Sequence, residues 1–379
     1  MSYPRQQTLS VLLWEEMTTK QRRSTIKDVA ELAGVSIGTA SNVLSGKKHL
    51  HSPDAIRRVE DAVRLLGYRP NRSAQSLVKC CTNVIGVCIR KEVTRLSSDT
   101  YFSGLLDGIL SYLGEIDYSV KIITASEDDP QTAISRMDDY SVDGVILISP
   151  LMNSPFVGWA KQSNMPVVVA GELMPNTGLP GVDVDDGPAV RSAVMWLVSL
   201  GHRRICCISG PSNYASANRR LQAYKDALQE VGIQIQPQWI YEGDYWTTSG
   251  RDGIRELLKR VPDLTAVVCG NDWQALGALE SLYFMGIRVP HDISLIGFDD
   301  IEFAKMSQPP LATVRQSIQE CGKKAAEMLV SKINGRKDEV DRLLFPATLI
   351  QRESVAPPRV TEDAAIQLKP HCKPSGHLC

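Results

Sequence analysis

Apolar positions along this chain change period twice. From Ser24 they recur at helical spacing: Ile26, Val29, Ala30, Leu32 and Ala33 form one stripe. Ser24 or Thr25 can cap this helix, and Gly34 stops it as a left-handed C-terminal glycine would. Ser36 then caps a second helix through Val43 and Leu44, ended by Gly46. Ser52-Pro53 opens a third, with Ile56, Val59, Ala62, Val63 and Leu66 on one face and Gly67 closing it. Two short helices joined through one glycine predict a helix-turn-helix, although an ordinary three-helix core shares the pattern. Residues 1–23 show no sustained period and read as a loose leader.

From Thr82 the pattern becomes an alternation. The runs "NVIGVCI", "VKIIT", "DGVILIS", "PVVVAG", "RRICCIS", "LTAVVCG" and "DISLIGF" are apolar and strand-sized, as in buried parallel strands. Amphipathic helical segments lie between them, such as Tyr101 to Ile116, Asp186 to Leu200, Ala215 to Val231 and Asp272 to Met285. The prediction is a doubly wound α/β body long enough for two sheets. It has no GxGxxG after the first strand and no GxxxxGK[ST], so no nucleotide cofactor is expected.

Several blocks, taken in order, carry a family pattern. "TIKDVAELAGVSIGTASNVLSG", "LGYRPNRSAQSL", "LGHRRICCISGP", "GNDWQALGAL", "VPHDISLIGFDDIEFA" and "PPLATVRQ" resemble the LacI/GalR family of bacterial transcription regulators. The resemblance spans roughly Thr25 to Pro358. It implies a helix-turn-helix DNA-binding domain at 24–70, a hinge helix and linker at 71–81, and a two-lobed body at 82–358 like a periplasmic binding protein. One lobe would hold about 82–184 and 315–344, the other about 185–314 and 345–358. A disordered tail would occupy 359–379. The resemblance also implies a homodimer, a palindromic double-stranded DNA operator and a small sugar-like effector.

In such a motif the second helix lies in the major groove with its first residues on base edges. The family pattern places Ile37, Gly38 and Asn42 at base-reading positions, and Thr39 and Ser41 at phosphate-holding ones. Thr25 and Ser36, at the helix starts, complete the expected contacts. The commonest family version has Arg in place of Asn42. Arg suits guanine, whereas Asn can pair with adenine N6 and N7; contact with phosphate is the alternative. In the hinge, Asn71 is expected as a cap, and Ala74 and Leu77 as the face that enters the minor groove. Leu77 matches an apolar wedge that unstacks a base step. The plainer alternative is an interdomain linker with Leu77 packed on the body.

Ligands of doubly wound sheets bind beyond the carboxyl ends of strands. Arg90, Glu172, Asp272 and Asp299 fall at such ends, with Tyr101, Phe102 and Tyr245 at related places. Carboxylates that accept hydroxyl protons, beside an aromatic ring, make a sugar site. Caps, salt bridges and core packing are the alternatives for each; Asp272 begins a helix and could cap it. The family often has Ala-Arg where this chain has Ala217-Asn218, followed by Arg219 and Arg220. Asn218 would favour a neutral polyol, and Arg219 a phosphate or carboxylate.

Composition refines this picture. Of 379 residues, 43% are apolar and 22% charged, which is ordinary globular material. No stretch approaches the ~20 apolar residues of a membrane span, and the first apolar run, Val11 to Trp14, is too short for a signal core. A cytoplasmic protein is expected. The net charge of −1 hides an asymmetry: Arg22 to Lys79 holds eleven Lys/Arg against five Asp/Glu, leaving the remainder at −7. A basic end on an acidic body suits a polyanionic partner. The nine cysteines show no metal or redox spacing, and several sit in apolar runs as small hydrophobes. No triad, metal cluster or nucleophile elbow is found, so catalysis is not expected. His202, in "LGHRRI", reads as structural. A solute-binding receptor for transport shares the body fold but needs no helix-turn-helix. Repression is favoured over effector-dependent activation by the resemblance alone.

Overall fold

The computed structural model describes residues 24–69, 81–91, 99–336 and 341–359. The expected leader, the hinge residues Asn71, Ala74 and Leu77, and nearly all of the tail lie outside them. The chain divides into two compact units, parted between Thr82 and Asn83.

The first unit contains α1 (Ile26–Ala33), α2 (Ile37–Leu44) and α3 (Pro53–Leu66). Thr25, not Ser24, caps α1, in a reciprocal capping box with Asp28. Gly34 follows at φ 60°, a conformation costly for any residue with a Cβ, and turns the chain directly into α2. Ser36 caps α2 through Thr39 N–H at 3.0 Å. The helix ends at Leu44, with Ser45 rather than Gly46 in the cap position. Val29, Ala30, Ala33, Ala40, Val43, Val59 and Ala62 are buried together, small enough for the three short helices to cross closely.

In the second unit β1 (Val84–Arg90), α4 (Thr100–Glu115), β2 (Ser119–Ala125), α5 (Pro130–Met137), β3 (Gly144–Ile148), α6 (Pro155–Gln162), β4 (Val167–Ala170) and β5 (Gly181–Asp185) alternate. Next come α7 (Asp186–Ser199), β6 (Ile205–Ser209), α8 (Ala215–Glu230), β7 (Ile240–Glu242), α9 (Thr247–Arg260), β8 (Ala266–Cys269), α10 (Asp272–Phe284), β9 (Ser294–Ile296) and α11 (Glu302–Met306). The chain returns through β10 (Thr313–Arg315), α12 (Ile318–Ile333), β11 (Arg342–Pro346) and β12 (Thr348–Ile350).

Two parallel sheets result, in the orders β11-β5-β4-β3-β1-β2 and β7-β6-β8-β9. Each has an apolar cluster on both faces, as a doubly wound sheet requires. The chain passes between the lobes after β5, after β10 and between β11 and β12. Strands β10 and β12 pair antiparallel at the crossing. The seven apolar runs became strands; β5, β7 and β10 to β12 are shorter or less apolar, and their pairing comes from neighbours.

Helices α4 and α12 touch backbone to backbone. A Cβ on Gly322 would lie 2.0 Å from Leu105 O, and one on Gly108 would lie 1.9 Å from Gln319 O. Gly322→Ala must therefore push the helices apart. We expect it to lower unfolding stability by about 1–3 kcal/mol, the usual range for overpacking, measured by urea denaturation.

Candidate ligand cleft and nucleic-acid interface

The carboxyl ends of both sheets face one another across a cleft of ≈ 290 Å³. Among the expected contacts, Arg90, Tyr101, Phe102, Glu172, Tyr245 and Asp299 line it. Arg90 ends β1, and its guanidinium donates to the Tyr214 hydroxyl from the opposite lobe. It also lies 5.1 Å from the Tyr214 ring centroid. Glu172 follows β4 and accepts from Ser216 N–H at 2.7 Å and from Ser216 Oγ at 2.8 Å. Burial and neighbouring Asp183 push the Glu172 carboxyl up to about 7. Asp299 follows β9 at φ 122° and accepts from Gln316 Nε2. Burial, only partly opposed by Arg220, raises Asp299 to about 7 as well.

Three expected contacts do not line the cleft. Asp272 is fully buried, with Oδ2 accepting from Ile301 N–H at 2.9 Å and Oδ1 from Thr313 Oγ1 at 2.6 Å. It holds the loop bearing Asp299 onto strand β10, and burial with Asp299 nearby raises its pKa well above the carboxylate range. The cap of α10 is Asn271, which does line the cleft. Asn218 faces outward, donating to Ser212 O at 2.8 Å. Arg219 is bound to Asp183 at 2.7 Å and to Asp186 at 3.3 Å.

Of the two neighbouring arginines on α8, the one that reaches the cleft is Arg220. It lies one helical turn after Ser216, so i,i+4 geometry puts both on the same face of α8. Its guanidinium stacks 3.6 Å from the Phe298 ring centroid, bonds Asp186 and donates to Gly270 O at 2.9 Å. Counting from Ser216 instead of from the Ala-Arg pair would have found it. Asp99, Ser149, Asp244 and Gln316 also line the cleft without having been anticipated. Asp99 and Gln316 sit beside helix starts, where a capping role is the ordinary reading.

Trp246 and Trp273 add indole rings to the wall, with the Trp273 ring tilted 43° against Phe303 at a centroid distance of 5.3 Å. Arg90 Nε, Ser149 Oγ, the Tyr245 hydroxyl and Trp273 Nε1 are buried with no hydrogen-bond partner among the described residues. Such groups cost free energy unless something pairs them. His202 bonds Thr265 Oγ1 and Ala356 O, both at 2.9 Å, away from the cleft. Burial pushes the Cys88, Cys206 and Cys207 thiols up to about 12, which leaves them unreactive. Among the described residues no three or more His, Cys, Asp or Glu gather as a metal site, and no helix is long and apolar enough to cross a membrane.

In the first unit, Ser36, Ile37, Gly38 and Ser41 are exposed on α2, while Thr39 and Asn42 are half-buried. Ile37 presents 46% of its surface, a high value for an isoleucine at a helix start. Thr25, at the start of α1, is exposed.

Comparison with known proteins agrees with this architecture. A model of bacterial regulatory proteins of the lacI family matches residues 25–71, and one of periplasmic binding protein-like domains matches 194–355. The transcriptional regulator CelR of Thermobifida fusca is 33% identical over 338 residues, covering 88% of this chain and 99% of CelR. A CelR–cellobiose complex superposes with a TM-score of 0.67 at 32% identity, covering 88% of this chain and 100% of that one. The lac repressor dimer bound to operator and the anti-inducer ONPF reaches 0.79 at 29% identity, with the same coverage.

Removing the inward acid Asp272 should cost structure. We expect Asp272→Ala to lower stability by about 2–4 kcal/mol in urea denaturation, since it strands a buried N–H and a hydroxyl. Asp272→Asn, which keeps a carbonyl acceptor, should lose less. Helix-turn-helix, two-lobed body and full-length relatives together lead to one conclusion: this chain belongs to the LacI family of bacterial regulatory proteins.

Proposed function

We propose that the chain is a cytoplasmic, dimeric transcriptional repressor. Its hold on a palindromic operator is set by a neutral, polyhydroxylated ligand in the interlobe cleft. The observation that carries the ligand class is the balance of groups on the cleft wall. Asp99, Glu172, Asp244 and Asp299 face Arg90 and Arg220, and Arg220 is already paired with Asp186. Arg219, the candidate for an anionic ligand, is engaged by Asp183 and Asp186. A phosphate or sugar acid would meet more carboxyls than free guanidinium. Each sugar hydroxyl both donates and accepts, so it can serve the carboxyls and the unpartnered Arg90, Ser149, Tyr245 and Trp273 groups together. Six aromatic side chains (Tyr101, Phe102, Tyr214, Tyr245, Trp246 and Trp273) supply flat faces for pyranose rings. That CelR is known with cellobiose supports the same class.

Coupling follows from where the cleft lies. A ligand that touches both lobes changes the free energy of their closure, and by linkage operator DNA changes ligand affinity by the same factor. Asp300 provides one mechanical path. Its neighbour Asp299 faces the cleft, while Asp300 pairs with Arg315 at 2.6 Å and with Arg352, on two of the interlobe crossings.

On the DNA side, Asn42 supplies the main polar base contact and Ile37 an apolar one, plausible for a thymine methyl. Asn42→Ala should weaken operator binding by about 1–3 kcal/mol and relax one position per half-site, read by titrating an operator library at fixed salt. A uniform loss across all sequences would instead make Asn42 a phosphate contact. For the ligand, thermal melting with cellobiose, glucose, glucose 6-phosphate and gluconate separates the classes. Saturation at about 100 times Kd should stabilise by about 2.7 kcal/mol. A shift with the neutral sugars is expected; a shift confined to the phosphate or the acid would overturn the neutral-ligand reading.

A further inference from the structure

The mouth of the cleft differs from its floor. Ser149, Glu172, Ser216 and Asp299 are buried and come from both lobes. Asn213, Asp244 and Trp246 line the same cleft but are exposed, and all three follow strands β6 and β7 of one lobe. Trp246 keeps 42% of its surface open. It joins none of the apolar clusters of the two sheets and meets no other aromatic ring among the described residues. Trp273, the other indole on the wall, packs on Phe303 and against the core of its lobe. The core makes no such use of Trp246.

The loop that presents Trp246 is held in a strained shape. Successive side chains of an extended segment point to opposite sides. Tyr245 and Trp246 nevertheless both line the cleft. Tyr245 stands at φ 71°, a left-handed conformation that bulky residues rarely adopt. Three hydrogen bonds fix the loop: Asn271 Nδ2 donates to Tyr245 O, Trp246 N–H to Asp244 Oδ1 and Ser249 Oγ to Trp246 O, each at 2.9 Å. The Tyr245 ring lies against Gly210, where a Cβ would come within 2.1 Å of it. Strain of this kind persists only where the surroundings impose it, commonly at ligand sites. Its effect here is to set two aromatic rings in succession, with the Tyr245 hydroxyl buried and the Trp246 indole at the mouth.

We propose that the mouth is a second subsite, where Trp246 carries the outer ring of a disaccharide whose inner ring is enclosed between the lobes. The proposal rests on the neutral-sugar reading of the cleft and adds the length of the ligand. A pyranose has an apolar C–H face and a hydroxylated edge. The flat indole suits the face. The Asn213 amide and Asp244 Oδ2 suit the edge, since neither has a hydrogen-bond partner among the described residues and together they donate and accept. A single ring held among Ser149, Glu172, Ser216 and Asp299 would leave these three mouth residues without a contact. Trp246 is thus a residue that selects ligand length.

The test is isothermal titration of the full-length protein with glucose, methyl β-glucoside, cellobiose and maltose. Methyl β-glucoside carries the glycosidic bond without a second ring and should bind like glucose. Cellobiose and maltose set the outer ring at different angles. At least one of them should bind about tenfold more tightly than glucose, which corresponds to covering roughly half of the exposed indole. Trp246→Ala should bring that disaccharide to within about twofold of glucose, whereas Trp246→Phe, which keeps a flat ring, should retain most of the gain. The side chain is exposed and the backbone bonds of residue 246 survive in both variants, so both should fold; melting without sugar checks this. Equal affinity for all four sugars, or a disaccharide gain that survives Trp246→Ala, would overturn the second subsite and leave the neutral-sugar reading standing. If none of the four binds, both fall together.

Discussion

The cleft exists because buried charge is paired across the lobes. Asp183 lies within β5 of one sheet, Asp186 begins the first helix of the other lobe, Arg219 of α8 reaches both and Arg220 reaches Asp186. Asp183 and Asp186 are each nearly inaccessible to water. Separating such groups from their partners without rehydrating them would cost several kcal/mol. The crossing after β5 is therefore kept rigid, and Arg220 is presented to the cleft at a defined place.

This arrangement explains the division of labour between neighbours in the chain. Asp299 faces the cleft while Asp300 turns to Arg315 and Arg352. Arg220 faces the cleft while Arg219 ties the lobes. Asn271 lines the wall while Asp272 fastens the loop behind it. In each pair one residue lines the cleft and its neighbour holds the scaffold.

The α2 helix repeats that economy on a smaller scale. Ser36 and Thr39 spend their hydroxyls on the helix start, and Gly38 has no side chain to offer. Ile37 is exposed on the same helix and Asn42 half-buried. Under the proposed reading, so plain a face leaves a large part of recognition to shape and backbone contact.

Periodicity alone was enough for the three N-terminal helices and the seven buried strands, because local propensity and burial agree there, but the structure moved the end of α2 from Gly46 to Ser45. Strand ends also pointed to Arg90, Glu172 and Asp299, which line the cleft, since a doubly wound sheet gathers those ends. The chain could not show by itself that Asn218 points out, that Arg219 is spent on Asp183, or that Asp272 faces inward. Those outcomes depend on rotation about a helix axis and on partners 33 to 41 positions away. Nor could it show that a glutamate from one lobe caps a helix of the other. Local sequence specifies which residues stand at the cleft; only the packing of the two lobes decides which of them face it.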